Sequence, residues 1–199
     1  MSNNIEIEAK VILSRQDYKK VFDTLKTKIT DTHTQTNFYI DSQDRVLKKN
    51  DIALRIREYN RTYVLTCKTP LSEGLLEKNQ ELSEKVALEM INLNRFPSGG
   101  IQDFLELLDI DVSNLEVLAS LTTRRNELSI DSSKISLDEN TYGNKVDYEI
   151  EVEDSAMKLA EDRIEEILKP LGITYSLNKV SKQMRAIKAI TEEYDHFAP

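Results

Sequence analysis

Two segments of the chain place acidic side chains at alternate positions. Residues 5–11 read IEIEAKV and residues 146–153 read VDYEIEVE. In an extended strand, alternate side chains leave opposite faces, so each segment would carry one apolar face and one ionised face. Neighbouring like charges destabilise a sheet unless another charge offsets them. The pattern therefore favours a divalent cation bound along the acidic faces.

Basic side chains follow the same alternation elsewhere. Arg55 and Arg57 alternate with apolar neighbours in residues 53–59, and Lys68 ends a similar run at residues 62–68. Carboxylate oxygens without His or Cys suit a hard cation, Mg²⁺ or Mn²⁺, while Arg and Lys bind phosphate oxygens. Together they predict a metal-assisted polyphosphate site. The candidate acids are Glu6, Glu8, Glu77, Glu81, Asp138, Glu149, Glu151 and Glu153, and the candidate bases are Lys10, Arg55, Arg57, Lys68, Arg125, Lys182 and Arg185.

The sequence leaves open which of two adjacent arginines belongs to the ionic face. Leu128 alternates in step with Arg124, which directs Arg125 towards that face. Leu121 alternates in step with Arg125, which argues the reverse unless a bulge intervenes. We favour Arg125.

Four further acidic side chains have two interpretations each, and the cysteine has one. Glu77 and Glu81 either orient the basic residues or lie on the surface. Asp147 and Glu153 continue the acidic ladder and either bind metal or form an exposed rim. The single cysteine, Cys67, alternates with apolar residues and is interpreted as a small buried hydrophobe.

Composition limits the class of protein and its partners. The chain has 199 residues, 39% of them hydrophobic, and a formal net charge of −8. That charge argues against nucleic acid as a partner, although a local basic cluster can still bind phosphate. One cysteine excludes an internal disulfide. No signal peptide or apolar membrane span is visible, so we expect a cytoplasmic protein without a membrane partner.

The periodicity predicts an antiparallel α+β domain. Helices with apolar stripes would pack outside a rolled sheet, which would turn the ionic strand faces inward. We expect one domain over residues 1–193 and a frayed tail at residues 194–199. The predicted strands are residues 5–11, 35–41, 53–59, 62–68, 75–82, 119–130, about 135–138 and 146–153. The predicted helices follow Ser14 and Ser83, span residues 101–108 and about 157–168, and run from about 179 to 193.

The order of these residues resembles the CYTH family, also called triphosphate tunnel metalloenzymes. Glu6, Glu8 and Lys10 match its ExExK signature. The resemblance continues along the chain through residues 38–41, 54–58, Lys68, Asp138, residues 149–151, and Ser181, Lys182 and Arg185. It implies a closed antiparallel eight-stranded β-tunnel with helices packed outside and a triphosphate bound within.

The resemblance also implies roles for individual residues. Glu6, Glu8, Lys10 and Arg57 would be catalytic. The alignment with the family near Asp138 can shift by a residue or two, which would place Ser136 at a position that is acidic elsewhere in the family. The number of metal ions, one or two, therefore stays open. The implied ligands of Mg²⁺ or Mn²⁺ are Glu6, Glu8, Asp138, Glu149 and Glu151, and the implied triphosphate-binding residues are Lys10, Arg55, Arg57, Lys68, Arg125, Lys182 and Arg185.

Three functions fit this site. We expect a metal-dependent phosphohydrolase acting on inorganic tripolyphosphate, thiamine triphosphate or a nucleoside triphosphate. The alternatives are a class IV-type adenylyl cyclase and a non-catalytic triphosphate-binding protein. The sequence does not select among the triphosphates, because residues at the rim of the tunnel would recognise the organic part. A homodimer is also compatible with the sequence.

Overall fold

The computed structural model describes the backbone of residues 2–197 and the side chains of residues 4–191. The strands are β1 (Ser2–Glu6), β2 (Glu8–Leu13), β3 (Asp31–Asp41), β4 (Ala53–Tyr59), β5 (Thr62–Pro70), β6 (Leu75–Leu82), β7 (Glu116–Ile130), β8 (Ser133–Tyr142) and β9 (Lys145–Glu153). The helices are α1 (Arg15–Leu25), α2 (Val46–Lys49), α3 (Glu84–Leu93), α4 (Gly100–Leu107), α5 (Met157–Leu168) and α6 (Lys182–Phe197).

The described strands form one sheet in the order β1-β6-β5-β4-β3-β7-β8-β9-β2. The prediction of eight strands is wrong by one, because the first predicted strand divides at Ile7 into β1 and β2. The backbone carbonyl of Ile7 accepts a hydrogen bond from the amide of Asp154 (3.1 Å) instead of continuing a single strand. Two consecutive strands therefore occupy the opposite ends of the strand order.

The chain divides into two compact units. Unit 1 comprises residues 1–5, 35–121 and 182–199, and unit 2 comprises residues 6–34 and 122–181. The long strands β3 and β7 contribute residues to both units, as their bounds show. Each unit combines antiparallel strands with helices, which confirms the predicted α+β class.

Unit 1 buries the apolar face of its strands under α2, α3 and α4. Leu54 and Ile56 of β4 and Leu65 of β5 are fully buried, together with Met90 of α3 and Leu105 of α4. Burial of each such side chain contributes about 1.5–3 kcal/mol. Because side chains alternate along a strand, this packing leaves the polar residues of the same strands on the opposite face.

Unit 2 follows the same plan with α1 and α5. Val11 of β2, Leu137 of β8 and Ile150 of β9 form a core with Val21 of α1 and Ile164 of α5. The register places Val11 opposite Ile150, and Ile150 opposite Leu137. The acidic residues between these positions therefore share the other face of the strands.

Two helix starts follow the sequence signals. The Ser14 hydroxyl accepts from the backbone N–H of Asp17 (3.1 Å), and the Ser83 hydroxyl accepts from that of Val86 (3.4 Å). These caps satisfy amides that have no partner within the helix, so α1 and α3 begin where predicted. The last helix begins at Lys182 rather than at about residue 179.

The carboxyl-terminal end differs from the expected tail. Helix α6 continues to Phe197, so the backbone of residues 194–197 is helical. The last two residues of the predicted tail, 198–199, lie outside the described residues. The domain boundaries at residues 1–193 stay a prediction. Among the described residues, no helix combines the length and the apolar character that a membrane crossing requires.

Candidate active site

Unit 2 collects charged side chains, most of them acidic, on one sheet face, called here the acidic face. Its acids are Asp138 on β8, Glu149 and Glu151 on β9 and Glu8 on β2, and its cations are Arg125 on β7 and Lys10 on β2. The register places Arg125 opposite Asp138, and Asp138 opposite Glu149. It also places Lys10 opposite Glu151. Asp138 and Glu149 are fully buried, so these carboxylates do not belong to an ordinary solvated sheet surface.

Arg125 binds two of these carboxylates. Its Nε donates to Asp138 Oδ1 (2.8 Å), and its Nη2 donates to Asp138 Oδ2 (2.6 Å) and Glu151 Oε2 (2.7 Å). Burial opposes the charged form, but Asp138 and Glu151 outweigh it and raise the pKa of Arg125. The guanidinium is therefore a permanent cation among the acids, in the bidentate geometry that Arg favours.

This geometry resolves the choice between the two adjacent arginines. Arg125 lies on the acidic face, whereas Arg124 is exposed and lies opposite Glu139. The conflicting parity of Leu121 arises because the buried side of β7 changes along the strand: Leu121 is fully buried on one parity, and further along Leu128 is 2% exposed on the other. On this strand, an apolar neighbour therefore does not show which of the two arginines faces the acids.

Lys10 is the second cation of the acidic face. Its Nζ lies 2.5 Å from Glu8 Oε1, and both side chains are less than one-fifth exposed. Burial alone would lower the pKa of Lys10, but Glu8, Glu151 and Glu149 outweigh it and raise the pKa. Lys10 therefore stays protonated at neutral pH and acts as a fixed positive charge rather than as a base.

Glu149 receives a hydrogen bond from outside the strands. The side-chain Nδ2 of Asn178 donates to Glu149 Oε1 (3.1 Å). The backbone amide of Asn178 also donates to the carbonyl of Lys10 (2.7 Å). Sequence reasoning missed Asn178, because it lies in an irregular segment without periodicity.

The remaining acidic candidates of unit 2 differ in environment. Glu6 ends β1 and is half-buried. Glu153 lies at the edge of the ladder, with its side chain 41% exposed and 3.6 Å from Lys134 Nζ. Asp147 accepts from Asn140 Nδ2 (2.9 Å) and from the Tyr142 hydroxyl (2.6 Å). Asp147 is therefore held by neutral donors.

Unit 1 carries a sheet face of polar side chains that includes three bases, called here the basic face. The bases are Arg55 and Arg57 on β4 and Lys68 on β5, and their neighbours on this face are Tyr39 on β3, Thr66 on β5, and Glu77 and Asn79 on β6. Arg55 lies opposite Tyr39 on one side and Thr66 on the other. Within the described residues, the buried Nε of Arg55 makes no hydrogen bond. A buried donor left unsatisfied costs about 1–3 kcal/mol, so this guanidinium is suited to an acceptor on a ligand.

Glu77 organises part of the basic face. Its Oε2 lies 3.2 Å from Lys68 Nζ, and its Oε1 accepts from Asn79 Nδ2 (2.8 Å). The Thr66 hydroxyl in turn donates to Asn79 Oδ1 (2.7 Å). Burial would raise the pKa of Glu77, but Lys68, Asn79 and Arg55 outweigh it and lower the pKa. Of the two interpretations for Glu77, the contacts favour orientation of the basic residues, whereas Glu81 is exposed.

Two more predicted cations lie in unit 1 on helix α6. Lys182 and Arg185 are half-buried and three residues apart, so they share one side of the helix. Arg57 donates from its Nε to Asn37 Oδ1 (3.2 Å). These positions are compatible with the predicted phosphate roles, which stay predictions.

Asp41 has a structural role. It is buried, and its carboxylate accepts from the backbone amides of Ser42 (2.8 Å), Leu47 (2.9 Å) and Lys48 (3.2 Å). These bonds fix the turn between β3 and α2.

The described side chains contain a further group of possible metal ligands outside the predicted set. Donor atoms of Asp31, His33 and Glu127 lie within 4.8 Å of one another in unit 2. His33 Nδ1 is 2.6 Å from Asp31 Oδ2. Within residues 4–191, the predicted carboxylates Glu6, Glu8, Asp138, Glu149 and Glu151 do not converge as closely. Protein donors already bind several of them: Lys10 binds Glu8, Arg125 binds Asp138 and Glu151, and Asn178 binds Glu149.

Comparison with known proteins identifies the family. A model of the CYTH domain matches residues 4–182, so the chain belongs to the CYTH family. A relative from Bacillus subtilis (strain 168), named "Putative triphosphatase YjbK", is 38% identical over 173 residues, which cover 87% of this chain and 90% of the relative.

Solved structures share the fold over almost the whole chain. A Bacillus halodurans protein described as a "putative adenylate cyclase" is 36% identical with a TM-score of 0.85, covering 93% of this chain and 98% of that one. The Hippeastrum protein HpAC1, described as a "putative adenylyl cyclase" with "a dominant triphophatase activity", is 26% identical with a TM-score of 0.77, covering 93% and 96%. These matches confirm the predicted antiparallel α+β fold of the family.

Proposed function

We propose that this protein is a divalent-metal-dependent phosphohydrolase acting on a triphosphate: inorganic tripolyphosphate, thiamine triphosphate or a nucleoside triphosphate. The observation that carries the proposal is the acidic face of unit 2, where buried Asp138 and Glu149 lie beside Glu8 and Glu151. Burying several carboxylates together is unfavourable unless cations compensate them. Lys10 and Arg125 supply two positive charges against these four negative charges, which leaves a net charge suited to a divalent cation.

The donor set supports Mg²⁺ or Mn²⁺. All proposed ligands are carboxylate oxygens, which hard cations prefer, and the acidic face offers four of the five on the adjacent strands β2, β9 and β8. When bound, the metal would neutralise phosphate oxygens and lower the pKa of a coordinated water. The proposed metal ligands are Glu6, Glu8, Asp138, Glu149 and Glu151.

The basic residues would bind and orient the triphosphate. Arg55 offers a buried Nε that no acceptor within residues 4–191 engages, and Lys68 is held by Glu77. Lys10 and Arg57 would stabilise the negative charge that develops on the transferred phosphoryl group, and a carboxylate of the acidic face would accept the proton of the attacking water. The full proposed phosphate-binding set is Lys10, Arg55, Arg57, Lys68, Arg125, Lys182 and Arg185.

The relatives support this reaction class in different ways. The Bacillus subtilis relative is named as a triphosphatase, and the Hippeastrum structure is described by a dominant activity of that type. The name of the Bacillus halodurans structure favours a second candidate, an adenylyl cyclase. In that reaction the ribose 3′-hydroxyl attacks the α-phosphate of ATP, which yields cyclic AMP and pyrophosphate.

One product analysis separates these functions. Purified protein is incubated with tripolyphosphate, thiamine triphosphate, ATP or GTP, each with Mg²⁺, Mn²⁺ or EDTA, and every phosphorus product is identified by ³¹P NMR. We expect orthophosphate release that requires metal. Cyclic AMP with pyrophosphate would establish the cyclase instead. Tight triphosphate binding without turnover would identify a non-catalytic binding protein, and hydrolysis unaffected by EDTA would contradict the metal dependence.

A further inference from the structure

An irregular segment of unit 2 reaches the acidic face. Residues 172–181 follow α5 and contain no described helix or strand. The backbone amide of Asn178 donates to the carbonyl of Lys10 on β2 (2.7 Å). This bond places Asn178 beside the strand that carries Glu8 and Lys10.

The Asn178 side chain is held in one orientation. Its Oδ1 accepts from the backbone amide of Val180 (3.0 Å), and its Nδ2 donates to the Val180 carbonyl (3.0 Å). Its Nδ2 also donates to Glu149 Oε1 (3.1 Å). Because local bonds fix the amide, the direction of the bond to Glu149 is set by the segment and not by a free rotamer.

Glu149 is the carboxylate for which such a donor matters most. It is fully buried on β9 and lies opposite Asp138, a second fully buried acid. An amide donor orients the carboxylate without adding positive charge. Lys10 and Arg125, in contrast, bind their carboxylates as cations. The bond from Asn178 therefore fixes the direction of Glu149 through a neutral group.

We infer that Asn178 is a positioning residue, which holds Glu149 in the orientation required for metal binding. The inference rests on the proposed function, because it takes Glu149 as a metal ligand. Outer groups that hydrogen-bond a metal-binding side chain contribute about 10–100-fold to metal affinity or activity. The Asn178 side chain bonds to Glu149, so its effect on metal binding would act through that carboxylate.

The primary test measures metal affinity without substrate. Mn²⁺ is titrated into the full-length wild type, Asn178→Ala, Glu149→Gln and Ser176→Ala, and free Mn²⁺ is followed by EPR. Ser176 is exposed in the same segment, so its substitution controls for changes in the segment itself. We expect Asn178→Ala to weaken Mn²⁺ binding about 10-fold, Glu149→Gln to weaken it further, and Ser176→Ala to match the wild type.

A second measurement separates positioning from structural damage. If Asn178 acts through Glu149, saturating Mn²⁺ should restore the kcat of Asn178→Ala to within about threefold of the wild type. Low activity that persists at saturating metal would show a structural defect and overturn the inference. Melting curves of all variants are recorded in parallel.

The outcomes distinguish the inference from the proposed function. Weaker Mn²⁺ binding in Glu149→Gln with wild-type binding in Asn178→Ala would overturn the role of Asn178 and leave the metal site intact. Wild-type Mn²⁺ binding in Glu149→Gln would show that Glu149 is not a metal ligand. It would overturn both that assignment and the role of Asn178. Equal weakening in Asn178→Ala and Ser176→Ala would assign the effect to the segment and also overturn the inference.

Discussion

The two units share an architecture but differ in the charge of their polar faces. Each covers one side of antiparallel strands with helices and leaves polar residues on the other side. In unit 2 acids outnumber bases, and both cations of the acidic face already bind carboxylates. On the basic face of unit 1, three bases lie beside one acid. Among the side chains that the structure describes, the buried Nε of Arg55 finds no protein acceptor.

The difference shows how one folding plan can supply two kinds of chemistry. The apolar faces carry the stability of the units, so the polar faces are free to hold charge of either sign. Oxygen ligands suit a metal ion, and guanidinium and ammonium groups suit phosphate. A triphosphate with its metal requires both kinds of group.

We expect the largest loss of activity when either Lys10 or Glu8, at the start of β2, is replaced. Lys10→Met and Glu8→Gln should each lower kcat by about 10²–10³. The first removes a cation that would stabilise the negative charge of the transition state, and the second removes a carboxylate that would hold the metal. Steady-state orthophosphate release at saturating metal measures this. Lys134→Met is the matched control, because the Lys134 side chain is 73% exposed. Wild-type rates in both β2 variants would refute the assignment of the acidic face.

Arg125 offers a test of stability on the same face. Arg125→Gln should lower the free energy of unfolding by about 3–5 kcal/mol, because it leaves buried Asp138 without its partner. Arg124→Gln, which changes the exposed neighbour, should change it by less than about 0.5 kcal/mol. Urea denaturation measures both variants.

Adding Mn²⁺ should affect the stability of the two arginine variants differently. If the acids of unit 2 hold a divalent cation, Mn²⁺ should recover part of the stability lost in Arg125→Gln, since the ion replaces the missing positive charge. The same addition should not change Arg124→Gln relative to the wild type. An Arg125→Gln variant that Mn²⁺ does not stabilise would contradict metal binding at this face.

The smallest expected effect concerns Glu77 in unit 1. Its pKa is lowered in the folded protein, so the unfolded chain binds more protons at acidic pH. Its contribution to the free energy of unfolding, about 1 kcal/mol, should be present above about pH 4.5 and disappear as the pH falls through the folded pKa. Wild type and Glu77→Gln should therefore differ in urea denaturation at pH 7 and converge near pH 3. A difference independent of pH would contradict the ion pair with Lys68.

Much of the site was predictable because alternation fixes which side chains share a face. The strands around Glu8, Arg55 and Glu149 each carry apolar residues on the opposite parity, and the structure buries those residues while the charged ones share the other face. The division of the first strand at Ile7 was not predictable, because the apolar and charged residues alternate without interruption through residue 7.

The sequence also did not predict which distant residues form hydrogen bonds with each other at the site. The pairing of Arg125 with Asp138 and Glu151 depends on the register of three strands. The contact of Asn178 with Glu149 depends on the course of an irregular segment, which side-chain periodicity does not encode. Local sequence patterns therefore predicted the face of each charge but not its partner.

The alternation of Leu137 with Asp138 on β8 constrains how this protein can change length during evolution. Removing a single residue before Asp138 within the strand would move that carboxylate into the apolar core and Leu137 onto the acidic face. The same inversion would reach every later position of the strand. Insertions and deletions can therefore accumulate at the hairpin turns, such as residues 131–132 and 143–144, while the strands between them keep a constant residue count.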